Sequence, residues 1–311
     1  MAEVRSRIQG LAQRQDQHMR DLIAYLFERG GKGLRPALTL LTSKLNSRKS
    51  EKSISMAIAI ELLHIATLIH DDTVDNSTLR RGQETISSHW GQNIAILLGD
   101  YIFATSARFV CDTENIRVIK RFSETIMELS SGQIMEFFAS HSIEQHRKDY
   151  EDRIYRKTAS LFRTASEAGA ILGGAEEQQV TQLNKYGYNI GMAFQIVDDV
   201  LDVQATSAQL GKPVGNDLIQ GTLTLPTLLL MELGPKTGIF VALKELFAKP
   251  QSKGPLDKIL SMIQDFNIID KCYTEAEQYC QNARQNLADL PESSSKKSLE
   301  LLSYHITKRD N

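Results

Sequence analysis

The chain has 311 residues, of which 41% are hydrophobic and 24% charged, and its 36 basic and 38 acidic side chains nearly cancel. That balance excludes the strongly basic footprint of a nucleic-acid binder, and the length allows one large domain or two small ones. Residues 1–17 lack a signal-peptide core and no window holds about 20 uninterrupted apolar residues, so membrane contact is expected to be peripheral at most.

Helical periodicity dominates from the start. Amphipathic helices are predicted over about 5–28 and 35–46, separated by the glycine loop Gly30-Gly31-Lys32-Gly33. Next comes a stretch, 54–75, that is apolar on most faces and reads as a helix buried in a protein interior. Amphipathic helices follow over about 93–110, 115–140 and 147–172, and a second nearly all-apolar helix over 186–203. Two more are predicted over about 223–247 and 256–290. Gly173-Gly174, 211–215, 249–254 and 293–297 read as loops or surface turns, and no proline falls between Pro36 and Pro213. Strand signals are weak, and no linker divides the chain, so a single all-α domain over 1–311 is expected. Cys111, Cys272 and Cys280 lack zinc-ligand or disulfide-framework spacing, which fits a reducing, cytoplasmic location.

Both apolar helices end in the same pattern, D-D-x-x-D: Asp71-Asp72-Thr73-Val74-Asp75 and Asp198-Asp199-Val200-Leu201-Asp202. Residues i and i+4 share a helix face, so each cluster aims carboxylates into a narrow sector at the polar end of a buried helix. One copy alone reads best as an exposed acidic helix end. Two copies on apolar helices point instead to facing carboxylates that need cations beside a low-dielectric core. Clustered hard oxygen ligands suit Mg²⁺, which keeps waters and takes further ligands from phosphate.

Basic residues complement these clusters: Lys32 and Arg35 in the glycine loop, Arg80 and Arg81 after the first cluster, Lys157 before Thr158, and Lys212 in a Gly-Lys-Pro turn. Each alone reads as a solvated charge; together they suggest clamps for a diphosphate. His70, beside Asp71, reads either as a general base or as a helix-end histidine with structural hydrogen bonds, and His64 as a core histidine satisfied locally.

The order of motifs resembles that of the trans-isoprenyl diphosphate synthases, or polyprenyl synthetases. It runs GGKGLRP at 30–36, HDDTVDNSTLRRG at 70–82, LLGD at 97–100, Lys157-Thr158, FQIVDDVLD at 194–202, GKPVGNDL at 211–218 and TLP at 224–226. The resemblance implies an all-α bundle of about ten core helices around a deep central cavity, as a homodimer. It implies condensation of an allylic diphosphate with successive isopentenyl diphosphates, head to tail, to a trans product. The cofactor implied is Mg²⁺, about three ions to a site, assisting departure of the diphosphate. Asp71, Asp75, Asp198 and Asp202 would be metal-linked, with Asp72 and Asp199 supporting. Arg80, Lys157 and Lys212 would hold the allylic diphosphate, aided by Thr158 and Gln195. Lys32, Arg35 and Arg81 would hold isopentenyl diphosphate. Two departures from the family pattern are Ser87, where an amide or histidine often stands, and Thr222, where a lysine often follows the glycine.

Product length is expected to depend on residues about one turn upstream of Asp71. These are Ala66 and Thr67, with Leu63, Leu62 and Ala59 below, and their small side chains leave a tunnel open. A long-chain product is expected, with a floor from deeper residues such as Tyr101, Phe103 or Phe137. The alternatives are a farnesyl or geranylgeranyl synthase, the catalytic subunit of a two-component synthase with a small accessory chain, and a class I terpene cyclase.

Overall fold

The computed structural model describes residues 1–28, 31–46, 50–80, 82–204, 214–250 and 252–308, and among them the architecture is all-α. In chain order the helices are α1 (Ala2–Gln9), α2 (Gln17–Glu28), α3 (Leu34–Ser43), α4 (Glu51–Val74), α5 (Ile86–Trp90), α6 (Gln92–Cys111), α7 (Ile116–Ala139) and α8 (Arg147–Ile154). A π-helical turn, Tyr155–Ala159, joins α8 to α9 (Ser160–Leu172). Then come α10 (Glu177–Gln204), α11 (Asn216–Ile219), α12 (Leu225–Glu232), α13 (Ile239–Ala248), α14 (Lys253–Asp265), α15 (Ile268–Gln285) and α16 (Ser294–Ile306). Two-residue strands, β1 (Leu79–Arg80) and β2 (Gln83–Glu84), pair antiparallel after α4.

Several predicted helices are broken, each for a local reason. The segment 5–28 divides into α1, a 3₁₀ turn and α2, where Asp16 Oδ1 accepts the Met19 amide at 3.1 Å and caps the new helix. The segment 223–247 stops at Leu233 and restarts after Pro235, whose ring cannot continue the preceding turn. The segment 256–290 breaks at Asn267, held at φ +52°, a conformation asparagine tolerates better than most. The serine-rich stretch 293–297, expected as a surface turn, is instead the cap and first turn of α16: Ser293 Oγ accepts the Lys296 amide at 3.1 Å. Likewise α14 begins inside the expected turn 249–254.

The chain folds into two compact units: Met1–Glu124, Phe162–Asn184 and Asp289–Leu299 in the first, Thr125–Leu161, Lys185–Ala288 and Glu300–Asn311 in the second. The first is built on α4, whose residues from Ser53 to Leu63 are almost all buried. It packs along α6 and against α3 and α1, with Ile58, Leu62, Ala66 and Ile69 meeting Ala95, Leu98 and Ile102 in one core. By length and composition both α4 and α6 could cross a membrane; α4 has 67% of its apolar window buried inside the protein and α6 39%. The burial and the acidic end of α4 mark it as a core helix. In the second unit, α12 packs on α8, α13, α14 and α15, and its Leu225, Leu228 and Leu230 are buried.

Candidate active site

Each acidic cluster closes the C-terminal end of a long helix, where the unpaired carbonyls already carry partial negative charge. Carboxylates there are disfavoured twice, by the dipole and by one another. A cation relieves both repulsions.

In the first unit, α4 ends at Val74, and Asp75 and Asn76 turn the chain away, with Asn76 at φ +50°. Asp72 is 6% exposed, Asp71 is half-buried and Asp75 is exposed. The short hairpin brings Arg80 back over this end, and its Nε donates to both oxygens of Asp72 at 2.7 and 2.9 Å. Burial opposes the charge on Arg80, but the Asp72 hydrogen bond and the nearby Asp71 and Asp75 outweigh it and raise the guanidinium pKa. Arg81 lies outside the described residues.

His70 sits on α4 directly above Gly99 of α6; a Cβ at Gly99 would fall 2.2 Å from His70 Nε2, so only glycine allows this approach. The imidazole then faces Ile96 O at 3.4 Å and Asp100 Oδ1 at 3.5 Å, a structural seat that explains the Gly-Asp of LLGD. Lys32 is exposed. Arg35, in the first turn of α3, places Nη1 3.2 Å from His64 Nε2 and its guanidinium 4.4 Å above the Phe162 ring. Arginine only donates, so His64 Nε2 accepts and its proton sits on Nδ1. The histidine read as locally satisfied in the core therefore steers a proposed substrate arginine, a role its apolar sequence context concealed.

Ala66, in the first core, and Leu63 are each 1% exposed, and Thr67 is half-buried with its hydroxyl donating to His64 O at 2.8 Å. Tyr101 and Phe103 pack partly buried against the same core. Phe137, which belongs to the second unit, is 68% exposed. A cavity bounded by Val4, Leu40, Ser43 and Ile54 lies at the opposite end of α4 from Asp71, about 25 Å away at 1.5 Å per residue. Ser87 is half-buried with Oγ 3.0 Å from Thr85 Oγ1.

In the second unit, α10 presents Asp198 half-buried while Asp199 and Asp202 are each 2% exposed. Asp199 is enclosed by hydrogen bonds: Tyr150 Oη donates to Oδ2 at 2.7 Å and Gln195 Nε2 to Oδ1 at 2.7 Å. Thr158 Oγ1 donates in turn to Gln195 Oε1 at 2.6 Å. Burial, and next the carboxylate of Asp217, push Asp199 up to about 8 despite these donors. Asp202 Oδ2 accepts the Asp217 amide at 3.1 Å and its carbonyl accepts the Gly215 amide at 2.8 Å, tying the cluster to α11. Thr222 donates its amide to Asp217 O at 2.8 Å.

Lys157 and Thr158 lie in the π turn, a feature that often marks functional sites. The turn presses on α7 at Gly132, where a Cβ would sit 2.8 Å from Arg156 Cβ. Lys157 Nζ meets Glu136 Oε1 at 2.5 Å. Arg153, 4% exposed, approaches Glu136 at 3.8 Å and donates to Gln145 Oε1 at 2.8 Å and Leu223 O at 2.5 Å. Lys212 lies outside the described residues. Tyr150, Arg153 and Glu136 belong to no motif, so the sequence does not single them out.

A raised carboxyl has a consequence for stability. Asp199 keeps its proton in the folded chain and loses it in the unfolded chain between about pH 4 and its folded value of about 8. Over that window the folded state binds more protons, so the contribution of Asp199 to stability is full below about pH 4 and falls as pH rises toward 8. In metal-free buffer Asp199→Asn is expected to flatten the decline of the melting temperature from pH 5 to 8; thermal scans across that range that keep the original slope would contradict the assignment.

Among the described residues no three His, Cys, Asp or Glu side chains gather into a complete metal cage. The donor set still fits Mg²⁺, which commonly takes one or two carboxylates and fills the remaining positions with water and substrate phosphate. Asp71 and Asp198, partly exposed at the negative ends of their helices, have that character.

The family model described as polyprenyl synthetase matches residues 16–263. Heptaprenyl diphosphate synthase component 2 of Geobacillus stearothermophilus is 34% identical over 296 residues, covering 92% of this chain and 88% of that protein. Among solved structures, heptaprenyl diphosphate synthase from Staphylococcus aureus aligns with a TM-score of 0.95 at 33% identity, over 100% of this chain and 97% of that one. A polyprenyl synthase from Caulobacter crescentus, complexed with calcium and isoprenyl diphosphate, aligns with a TM-score of 0.93 at 30% identity, over 100% and 95% of the two chains. The helix ends, the motif order and these likenesses agree: the chain belongs to the polyprenyl synthetase family of prenyl-transferring enzymes.

Proposed function

We propose that this chain is a long-chain trans-polyprenyl diphosphate synthase, which extends an allylic diphosphate with successive isopentenyl diphosphates. The observation that carries the reading is the pair of acidic clusters, each at the negative end of a long helix, with the middle aspartate hydrogen-bonded and the first left partly exposed. Asp71, Asp75, Asp198 and Asp202 would hold Mg²⁺ together with the allylic diphosphate. The metal supplies Lewis-acid stabilisation of the charge that develops on the departing diphosphate.

The protein's own groups do the rest. Arg80 points Nε at Asp72, and its two terminal amino groups are left to face phosphate oxygens. Lys157 and Lys212 add positive charge on the same diphosphate, with Thr158 and Gln195 beside them. Lys32, Arg35 and Arg81 bind isopentenyl diphosphate, Arg35 being aimed by His64 and Phe162. Apolar side chains upstream of Asp71 keep water from the allylic cation. The departing diphosphate is itself a base, so proton loss after condensation needs no protein general base, and His70 keeps its structural seat.

The small side chains at Ala66 and Thr67 support a long product. We also propose a homodimer: the exposed apolar residues Ile94, Ile96 and Leu97 on α6 of the first unit, and Met127, Ile134, Phe137 and Phe138 on α7 of the second, are the kind of surface that subunits cover. A second reading, a catalytic subunit that needs a smaller partner, is favoured by the name of one relative, component 2 of a heptaprenyl synthase.

Incubating the purified chain with farnesyl diphosphate, isopentenyl diphosphate and Mg²⁺, then sizing the products, tests both. A product longer than geranylgeranyl from the chain alone is expected. Arrest at geranylgeranyl or below would replace the long-chain reading, activity only after adding a second polypeptide would favour the two-component reading, and a cyclic hydrocarbon without consumption of isopentenyl diphosphate would make the chain a cyclase.

A further inference from the structure

Asp199 is supported by a residue that no motif contains. Tyr150 is 1% exposed and comes from α8, far from Asp199 in sequence. Its hydroxyl needs a partner at that depth and finds Asp199 Oδ2 at 2.7 Å. One helical turn onward, Arg153 ties α8 to Leu223 O and Gln145, which fixes where the tyrosine stands.

The consequence passes along the chain of donors. A carboxylate turns readily about its terminal torsion unless both oxygens are engaged. With Tyr150 on Oδ2, Oδ1 is presented to Gln195, whose amide directs its NH₂ toward Asp199 and its carbonyl toward Thr158. The orientation of two side chains assigned to the diphosphate thus begins at a phenol that touches neither.

We infer that Tyr150 is a positioning residue of the prenyl-transfer site, which fixes the Asp199 carboxyl and through it sets Gln195 and Thr158 for the magnesium–diphosphate. This rests on the function proposed above. Lys157 belongs to the same π turn as Thr158 and is anchored separately by Glu136, so loss of the tyrosine hydroxyl disturbs the relay without freeing the lysine.

The test uses the full chain, unmodified and as Tyr150→Phe, Asp199→Asn and the double variant. Binding of magnesium pyrophosphate is measured by calorimetry, and kcat and KM are measured with farnesyl and isopentenyl diphosphates. Tyr150→Phe keeps the ring and its packing, and its melting temperature is expected to stay within a few degrees of the unmodified chain. Its kcat and its affinity for magnesium pyrophosphate should each fall about tenfold, the size of one buried hydrogen bond, while KM for isopentenyl diphosphate stays unchanged. In the Asp199→Asn background the same change should cost no more than about twofold, because the residue acts through Asp199.

Unchanged kcat and pyrophosphate affinity in Tyr150→Phe would overturn the inference, as would equal losses in both backgrounds. Should Tyr150→Phe fail to fold, Gln195→Met cuts the same relay one link later, and full affinity for magnesium pyrophosphate in that variant would overturn it equally. An unmodified chain that binds magnesium pyrophosphate but makes no prenyl product would defeat the proposed function, and the calorimetric comparison would still decide the role of Tyr150.

Discussion

Asp71→Asn and Asp198→Asn are each expected to lower kcat by about three orders of magnitude, with little change in the fold. Asparagine keeps the size of the side chain and removes its charge. Both positions are partly exposed at the C-terminal end of a helix, where negative charge is unfavourable without a cation. In metal-free buffer the substitutions should shift the melting temperature by no more than a few degrees. With Mg²⁺ and pyrophosphate present, the stabilisation seen in the unmodified chain should shrink. The opposite pattern is expected at Asp202, which is buried and accepts the Asp217 amide: Asp202→Ala should cost about 1–2 kcal/mol of stability as well as activity. Steady-state assays across a Mg²⁺ titration decide the matter, and a kcat within tenfold of the unmodified enzyme for either asparagine variant would remove that residue from the metal site.

The second large effect is on product length. Ala66→Phe is expected to shift the product from long-chain to geranylgeranyl length or shorter, because a phenyl ring one turn before Asp71 would stop the growing chain. Ala66 is 1% exposed in the same core as Leu62 and Ile69, so the ring must either enter space that the product uses or force the core apart. Overpacking a core costs about 1–3 kcal/mol, which a urea or thermal melt resolves. A shortened product with a preserved melting temperature is the expected result. An unchanged product with a lowered melting temperature would assign Ala66 to packing between α4 and α6 alone.

The two acidic motifs were legible in the sequence because each pairs a rigid spacing with an apolar helix upstream. The long helices α4, α6, α7 and α10 were legible for the same reason: their periodicity runs over many residues without a breaker. Elements set by single hydrogen bonds were not. The cap of α16 by Ser293 looked like a polar turn, because serine is favoured in both places. The π turn at 155–159 inserts an extra residue into the helical repeat, so a pattern read at constant period runs straight through it.

Residue type and spacing established that hard-oxygen ligands and phosphate-binding cations occur together on an all-helical chain, and with them the chemical class. They could not say which aspartate of each triplet is partly exposed and which is enclosed inside the protein, because the spacing fixes which positions share a helix face but not which face the rest of the chain covers. Those partners come from elsewhere in the chain: Arg80 from a hairpin onto Asp72, Tyr150 from α8 onto Asp199, His64 from α4 onto Arg35, and Gly99 from α6 beneath His70. A pattern records local periodicity, whereas the burial and hydrogen bonding that make near-identical side chains differ exist only once distant segments have packed.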